Sequence, residues 1–361
     1  MFSAIDHAFM ARALQLAQRG LFTTTPNPRV GCVLVRDERV VGEGWHAKAG
    51  EAHAEVNALR AAGDLTRGAT AYVTLEPCAH FGRTPPCIDA LRAAGVARVV
   101  AAMQDPNPRV AGKGLTALGA TGIDVSSGLM ETEARELNIG FVSRMTRGRP
   151  WLRLKVAASL DGKTALNNGK SQWITGADAR RDAHAWRARS CAILTGIGTV
   201  RDDDPRLTVR DVATTRQPLR VVVDSRFEMP LTARVFEGGN LLVAAAAQDD
   251  AKIAALARQG AEAVVIPSAR GKVDLPALLL ELGRRGINEV LVEAGFRLNG
   301  SLLREGCVDE LLIYQAPILL GDAARGMFEL PELTELSGRR ELQLRELRRV
   351  GSDLRFLARL S

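Results

Sequence analysis

The chain has 361 residues, 46% of them hydrophobic and 25% charged, with a formal net charge of +7 at pH 7. That length predicts two domains, and the composition is that of ordinary globular chains, which excludes a disordered or collagen-like polymer. The positive charge does not mark a nucleic-acid binder: residues 1–150 hold 17 Lys/Arg against 14 Asp/Glu and the rest 31 against 27 (48 − 17 and 41 − 14), an even spread with no basic run.

In chain order, residues 3–19 read as an amphipathic helix with Ile5, Phe9, Ala13 and Leu16 on one face. Asp6 and Arg12 interrupt the apolar residues there, so the segment is not a signal peptide. Residues 30–35 and 40–45 predict two strands of a hairpin turning at 36–39. A helix over 53–62 is stopped by Gly63, a strand follows at 71–75, and a helix over 87–94 is stopped by Gly95. The strand at 98–103 ends in the loop Asp105-Pro106-Asn107-Pro108. Strands alternating with helices imply a layered α/β sheet.

The polar break Arg147-Gly148-Arg149-Pro150 divides the chain into domains 1–147 and 151–361. The second domain restarts with a strand at 151–158 and continues with strands at 191–195, 220–223, 240–245, 263–266, 289–292 and 310–314. Helices over 177–189 and 275–285 lie between them, so this half is a second α/β domain. The longest uninterrupted apolar run, 241–247, is too short for a bilayer, and a cytoplasmic protein without membrane or nucleic-acid partners is expected. The cysteines are Cys32, Cys78, Cys87, Cys191 and Cys307, an odd number that argues against a disulfide framework.

Chemistry concentrates at His53-Ala54-Glu55, Pro77-Cys78 and Cys87. One imidazole and two thiolates suit Zn²⁺, and three protein ligands leave the fourth tetrahedral position for water, the arrangement of catalytic sites. Glu55 lies two residues beyond His53 at the start of the same helix, placed to move protons without binding the metal. Zinc nucleobase deaminases carry H-x-E followed by P-C-x-x-C. Here eight residues, Ala79 to Pro86, separate the cysteines instead of two. The alternative is a structural zinc with His80 as fourth ligand, which leaves Glu55 without a role.

Together with Thr74-Leu75-Glu76-Pro77-Cys78-Ala79-His80-Phe81-Gly82-Arg83-Thr84-Pro85-Pro86-Cys87, these residues resemble the deaminase half of the bifunctional riboflavin-biosynthesis deaminase/reductases. Pro26-Asn27-Pro28, Val30-Gly31 and Gln104-Asp105-Pro106-Asn107-Pro108 extend the likeness over nearly all of residues 1–147. The resemblance implies a cytidine-deaminase-like fold that removes the 2-amino group of 2,5-diamino-6-ribosylamino-4(3H)-pyrimidinone 5′-phosphate. It implies zinc on His53, Cys78 and Cys87, with Glu55 catalytic. Asn27, His46, His80, Arg83, Thr84, Asp105 and Asn107 would line the substrate, although Asn27 and Asp105, beside prolines, are also turn formers.

The second half has no G-x-G-x-x-G fingerprint. Gly196-Ile197-Gly198 is a lone G-x-G, and residues 290–295 are a strand running into a helix start, where phosphate can meet backbone N–H groups but which on the residues alone reads as an ordinary strand-to-helix turn. Residues 155–163 (KVAASLDGK), 171–175 (SQWIT), Thr199-Val200, 203–210 (DDPRLTVR) and Val292-Glu293-Ala294-Gly295 resemble the reductase half of the same family, a dihydrofolate-reductase-like fold. The resemblance implies hydride transfer from NADPH to C1′ of 5-amino-6-(5-phosphoribosylamino)uracil. It assigns the cofactor to Ala157, Trp173, Thr199, Asp203, Ser225, Gly295, Phe296, Arg297, Leu298, Asn299, Gly300 and Ser301. The substrate falls to Ser171, Arg187, Leu207, Arg210 and Glu293. From the residues alone, Trp173 reads as a plain core aromatic and Arg187 as a solvated helix residue. Lys155 or Asp203 supplies the proton that accompanies the hydride, and Arg226, just past the 220–223 strand, is the candidate for the 2′-phosphate of NADPH. The reductase-like domain is expected to self-associate into a homo-oligomer. A nucleoside or polynucleotide deaminase with a regulatory second domain is the alternative, and it predicts a basic groove and a Cys-x-x-Cys pair, both absent.

Overall fold

The computed structural model describes residues 2–79, 81, 85–108 and 110–360, and the chain divides into two compact units, 1–148 and 149–361. No helix among the described residues is long and apolar enough to cross a membrane.

In the first unit, α1 (Ala4–Gln18) starts at a capping box: the Ser3 hydroxyl accepts from the Asp6 N–H at 3.1 Å and the Asp6 carboxylate accepts from the Ser3 N–H at 2.8 Å. Next come β1 (Gly31–Arg36), β2 (Arg39–Trp45), α2 (Ala54–Ala62), β3 (Thr70–Val73), α3 (Cys87–Ala93), β4 (Arg98–Ala101), α4 (Lys113–Gly119), β5 (Asp124–Ser127), α5 (Glu131–Leu137) and α6 (Ile139–Arg147). The sheet order is β2-β1-β3-β4-β5, with β1 antiparallel to both neighbours and β3, β4 and β5 parallel. Strand alternation sorts the side chains. Cys32, Leu34, Ala71 and Val73 face Ala54 and Ala58 of α2 and Leu91 of α3, whereas Val33, Val35 and Tyr72 face Met10 and Ala13 of α1.

Two glycines of β2 bring α2 down onto the sheet. A Cβ at Gly44 would stand 2.3 Å from the Ala54 carbonyl oxygen, and one at Gly42 2.4 Å from that of Ala58. Only glycine permits that approach, and it fixes the end of α2 from which His53 and Glu55 project.

The second unit holds β6 (Trp151–Ser159), β7 (Lys163–Ala165), α7 (Ala177–Arg189), β8 (Ala192–Gly196), α8 (Ile197–Asp203), β9 (Leu219–Val223), β10 (Leu241–Ala245), α9 (Asp250–Arg258), β11 (Ala261–Val265), α10 (Leu275–Arg284), β12 (Glu289–Val292), α11 (Phe296–Arg304), β13 (Glu310–Ala316), β14 (Arg325–Gly326), β15 (Leu342–Val350) and β16 (Asp353–Leu360). Nine strands form one sheet in the order β11-β10-β9-β8-β12-β6-β13-β16-β15. From β11 to β13 all pairs are parallel, and β16 and β15 close that edge antiparallel. The central strands are near-continuous apolar runs because both faces are covered. Leu152, Leu154, Val290 and Val292 pack with Leu278 and Leu282 of α10, while Leu291, Leu312 and Tyr314 pack with Ala179 and Ala183 of α7.

Arg153 breaks this apolar pattern. It is fully buried on β6 and bonded to Glu310 on β13 (Nε–Oε2 2.6 Å) and Glu289 on β12 (Nη1–Oε2 3.2 Å), with its guanidinium over the Trp186 ring.

Candidate active sites

In the first unit, His53 is the N-cap residue of α2, Cys78 lies in the loop after β3, and Cys87 opens α3. Three elements distant in sequence thus converge, and the three donor atoms lie within 4.8 Å of one another. His53 Nδ1 is 3.2 Å from Cys87 Sγ and 3.6 Å from Cys78 Sγ. A tetrahedral ion with Zn–N of about 2.0 Å and Zn–S of about 2.3 Å has N–S edges of about 3.5 Å, so the donor set fits zinc as it stands. Among the described residues no other group of His, Cys, Asp and Glu is gathered this way.

Hydrogen bonding from Cys87, reinforced by His53, holds the Cys78 thiol down at about 4 against its burial, and the same contact pushes the Cys87 thiol up. Glu55 is 3% exposed, and burial pushes its carboxyl above the ordinary range. The His46 ring meets His53 edge-on, 5.4 Å between centroids. His46 Nε2 lies 3.1 Å from the Asn27 amide nitrogen, which can only donate, so the imidazole proton sits on Nδ1 and points at the Ala52 carbonyl, 3.2 Å away. Burial pushes His46 down and keeps it neutral. Asn27 and His46 are therefore part of this cluster. Asp105 Oδ1 accepts from the Asn107 N–H at 2.8 Å, the Asx turn that its proline neighbour suggested. His80, Arg83 and Thr84 lie outside the described residues.

Glu76 has a part that local sequence does not display. Its buried carboxylate accepts four backbone N–H groups: Asp105 and Gly112 on Oε2, both at 2.9 Å, and Gly114 and Leu115 on Oε1 at 2.8 and 3.3 Å. Gly114 has no room for a side chain, since a Cβ there would stand 2.1 Å from the Pro77 carbonyl oxygen. The Pro77-Cys78 loop is thus tied to the start of α4 on both sides.

In the second unit, the residues expected at the cofactor sit at the carboxyl ends of adjacent parallel strands. Ala157 is near the end of β6, Thr199 and Asp203 are in α8 beyond β8, Ser225 follows β9, and Gly295 caps α11 beyond β12. In sheet order these strands are β9-β8-β12-β6, although β12 is about 70 residues from β9 in sequence. The chain runs outward from β8 to β11 and returns to insert β12 beside β6, the kind of switch point where open α/β sheets bind ligands. Within 295–301, Leu298 packs on Gly196, Gly300 is pressed against the Glu329 backbone, and Asn299 donates to the Met327 carbonyl at 3.3 Å. What this segment offers an anion is the first-turn N–H groups of α11, with Phe296 and Arg297 at its outer end and Ser301 bonded back to the Arg297 carbonyl at 3.1 Å.

Trp173 is 70% exposed with Arg180 stacked 4.7 Å over its ring, so it is not a core aromatic. Nor is Arg187 a solvated helix residue: it grips Glu293 through Nε (2.5 Å) and Nη2 (2.9 Å) and donates from Nη1 to the Thr208 carbonyl at 3.0 Å. Lys155 Nζ lies 3.9 Å from Glu293, burial pushing it down, and Asp203, pushed up by burial, accepts from Ser171 at 3.3 Å. Leu207 is buried with φ +51°, and Arg210 is exposed. Burial and then Arg187 lower the Arg210 guanidinium, Asp211 opposing them and Arg206 and Arg234 adding to them.

A unit with a three-ligand zinc set beside a buried glutamate, joined to a parallel-sheet unit with a topological switch point, fits a zinc deaminase fused to a nicotinamide-type reductase. The sequence matches the cytidine and deoxycytidylate deaminase zinc-binding region over residues 3–103 and the RibD C-terminal domain over 150–356. It is 53% identical to the riboflavin biosynthesis protein RibD of Escherichia coli over 97% of this chain and 98% of that protein. The Haemophilus influenzae RibD is 48% identical over 98% and 97%. Acinetobacter baumannii RibD, form 1, superposes with a TM-score of 0.92 at 44% identity, covering 99% of both chains. A Thermotoga maritima structure described as a diaminohydroxyphosphoribosylaminopyrimidine deaminase/5-amino-6-(5-phosphoribosylamino)uracil reductase superposes with a TM-score of 0.87 at 33% identity over 99% of both. The chain belongs to the RibD family of bifunctional riboflavin-biosynthesis deaminase/reductases.

Proposed function

We propose that the first unit removes the 2-amino group of 2,5-diamino-6-ribosylamino-4(3H)-pyrimidinone 5′-phosphate and that the second then reduces C1′ of the product with NADPH, opening the ribosyl group to a ribityl chain. The observation that carries the first step is the His53–Cys78–Cys87 set with Glu55 buried beside it. Zinc held there supplies the Lewis acidity that ionises water near neutral pH. Glu55 accepts the proton of the attacking water and passes it to the ring nitrogen, then takes the second proton from the added hydroxyl as the carbonyl forms and hands it to the amine, which leaves as ammonia. Asn27 and neutral His46 lie on the same side as the cluster and orient the pyrimidine. His80, Arg83, Thr84, Asp105 and Asn107 complete the substrate's surroundings in this reading.

In the second unit, NADPH supplies the hydride. The first-turn N–H groups of α11 would hold its pyrophosphate, and Thr199, Asp203, Ser225, Ala157 and Trp173 would border it. Glu293, held by Arg187 and faced by Lys155, meets the ribose hydroxyls, and the exposed Arg210 guanidinium suits the dianionic 5′-phosphate. The reaction is cytoplasmic and uses a small phosphorylated pyrimidine, with no nucleic acid involved. A homo-oligomer is supported by the exposed Leu342, Leu344, Leu347 and Leu354 on the β15–β16 hairpin, an apolar sheet face at an open edge.

The test follows NADPH absorbance with purified protein and the diaminopyrimidinone substrate, with and without a zinc chelator. NADPH oxidation abolished by chelation shows deamination preceding reduction in one chain. Ammonia release without NADPH oxidation leaves the first unit's chemistry and refutes the second's.

A further inference from the structure

Arg210 sits on a segment that makes no regular strand, yet its backbone is held group by group. The Thr208 carbonyl accepts from Arg187 at 3.0 Å. The Val209 N–H and C=O are both taken by the Gln217 side-chain amide, at 2.8 and 3.0 Å. The Arg210 N–H donates to His184 Nδ1 at 3.2 Å. His184 and Arg187 are one turn apart on α7, so a single helix face grips the segment at both ends. Arg187 also spends its fork on Glu293, which leaves Arg210 as the guanidinium exposed to a ligand.

His184 is 6% exposed, and its contact has a chemical condition. Accepting at Nδ1 places the imidazole proton on Nε2, which lies 3.5 Å from Asp211 Oδ2. If Nδ1 is protonated, two N–H donors face each other across the same contact and the hydrogen bond is gone. The charges that act on the ring are Arg187 from α7, Asp211 and Arg210 from the segment, and Glu293 from beyond β12. Burial and then Arg187 push His184 down, with Asp211 opposing, so the ring is neutral at pH 7 and the contact intact.

We propose that His184 is a positioning residue for the reduction: its neutral Nδ1 holds the Arg210 backbone and aims that guanidinium at the substrate's 5′-phosphate, and protonation in acid releases it. The inference rests on the reading of Arg210 as a phosphate contact. Glutamine in place of His184 keeps an acceptor that does not titrate, and leucine removes the acceptor.

The experiment measures KM and kcat of the reduction step, with the deaminated ribosylaminouracil phosphate and saturating NADPH, from about pH 5 to 8. The proteins are the full chain and its His184→Gln, His184→Leu and Arg210→Ala variants. At neutral pH, His184→Leu raises KM about two- to tenfold, the worth of one hydrogen bond, with kcat little changed, and His184→Gln restores it. In acid, the parent's KM climbs more steeply than that of His184→Gln; the substrate's own phosphate titrates equally for both and cancels. Coincident pH profiles, or an unchanged KM in His184→Leu, overturn the role of His184. If His184→Leu does not fold, the comparison of the parent with His184→Gln still decides. Arg210→Ala separates the two ideas: a raised KM with coincident pH profiles refutes His184 alone, whereas an unchanged KM refutes the phosphate reading and the proposal with it.

Discussion

Glu76→Gln changes one atom and breaks two hydrogen bonds. The carboxylate has two oxygens and each accepts a pair of backbone N–H groups. A carboxamide keeps one oxygen, so its NH₂ must face either Asp105 and Gly112 or Gly114 and Leu115, donor against donor. Each buried donor left unpaired costs about 1–3 kcal/mol, giving about 3 kcal/mol for the pair after partial relaxation. For a unit of this size that lowers the melting temperature by about 6–12 °C. Because Pro77 and Cys78 follow directly, the variant also gives up zinc more readily. Calorimetry of the first unit's transition in the intact chain and competition with a chromophoric chelator read both effects. A variant that melts within about 2 °C of the parent and retains zinc equally well refutes the assignment of Glu76 as the anchor of the ligand loop.

Further consequences are open to direct test. Glu55→Gln should retain zinc, measured by metal analysis, while ammonia release falls by at least about 100-fold, the usual contribution of a positioned acid–base group; surviving activity would mean that another group moves the proton. Arg226→Ala should raise KM for NADPH about tenfold or more and leave that for NADH nearly unchanged, the signature of a lost 2′-phosphate contact. Asp6 is pushed up by burial but held well below the usual carboxylate range by hydrogen bonds from Ser3, Tyr72 and Arg98. Since its folded value is depressed, it contributes stability above the unfolded value of about 3.9 that is lost as pH falls through the folded one. Asp6→Asn should therefore cost about 2 kcal/mol in urea unfolding at pH 7, and the gap to the parent should shrink below about pH 4.

The metal cluster was legible because rare residue types at short spacing carry it, and the β1–β2 hairpin and α2 because their periodicity is unbroken up to Gly63. What escaped the sequence shares a physical cause. Glu76 finds its donors 29 to 39 residues downstream, and no local pattern announces such a partner. His184 and Gln217 act on a segment with no regular structure of its own. β5, Asp124–Ser127, is a polar edge strand without an apolar run. The β15–β16 hairpin was missed because β15 is exposed and arginine-rich, and an irregularity between Leu344 and Glu346 interrupts its alternation. Strands β6, β8 and β12 could be seen, but their side-by-side order could not, since parallel strands are paired by crossovers rather than by turns.

That order raises the question of how β12 chooses its slot. It enters the sheet after some 130 residues of intervening chain, and its Val-Leu-Val run, apolar on both faces, would satisfy almost any neighbour at almost any offset. Arg153 removes the ambiguity. Only one alignment of β12, β6 and β13 sets Glu289 and Glu310 on either side of it. Sliding either flanking strand by one residue turns its glutamate to the opposite face and breaks one of the two ion pairs of a buried cation, at a penalty of about 3–5 kcal/mol. The buried triad works as an address written in charge on an otherwise apolar surface, and the switch point beside β6 exists because β12 is delivered to it.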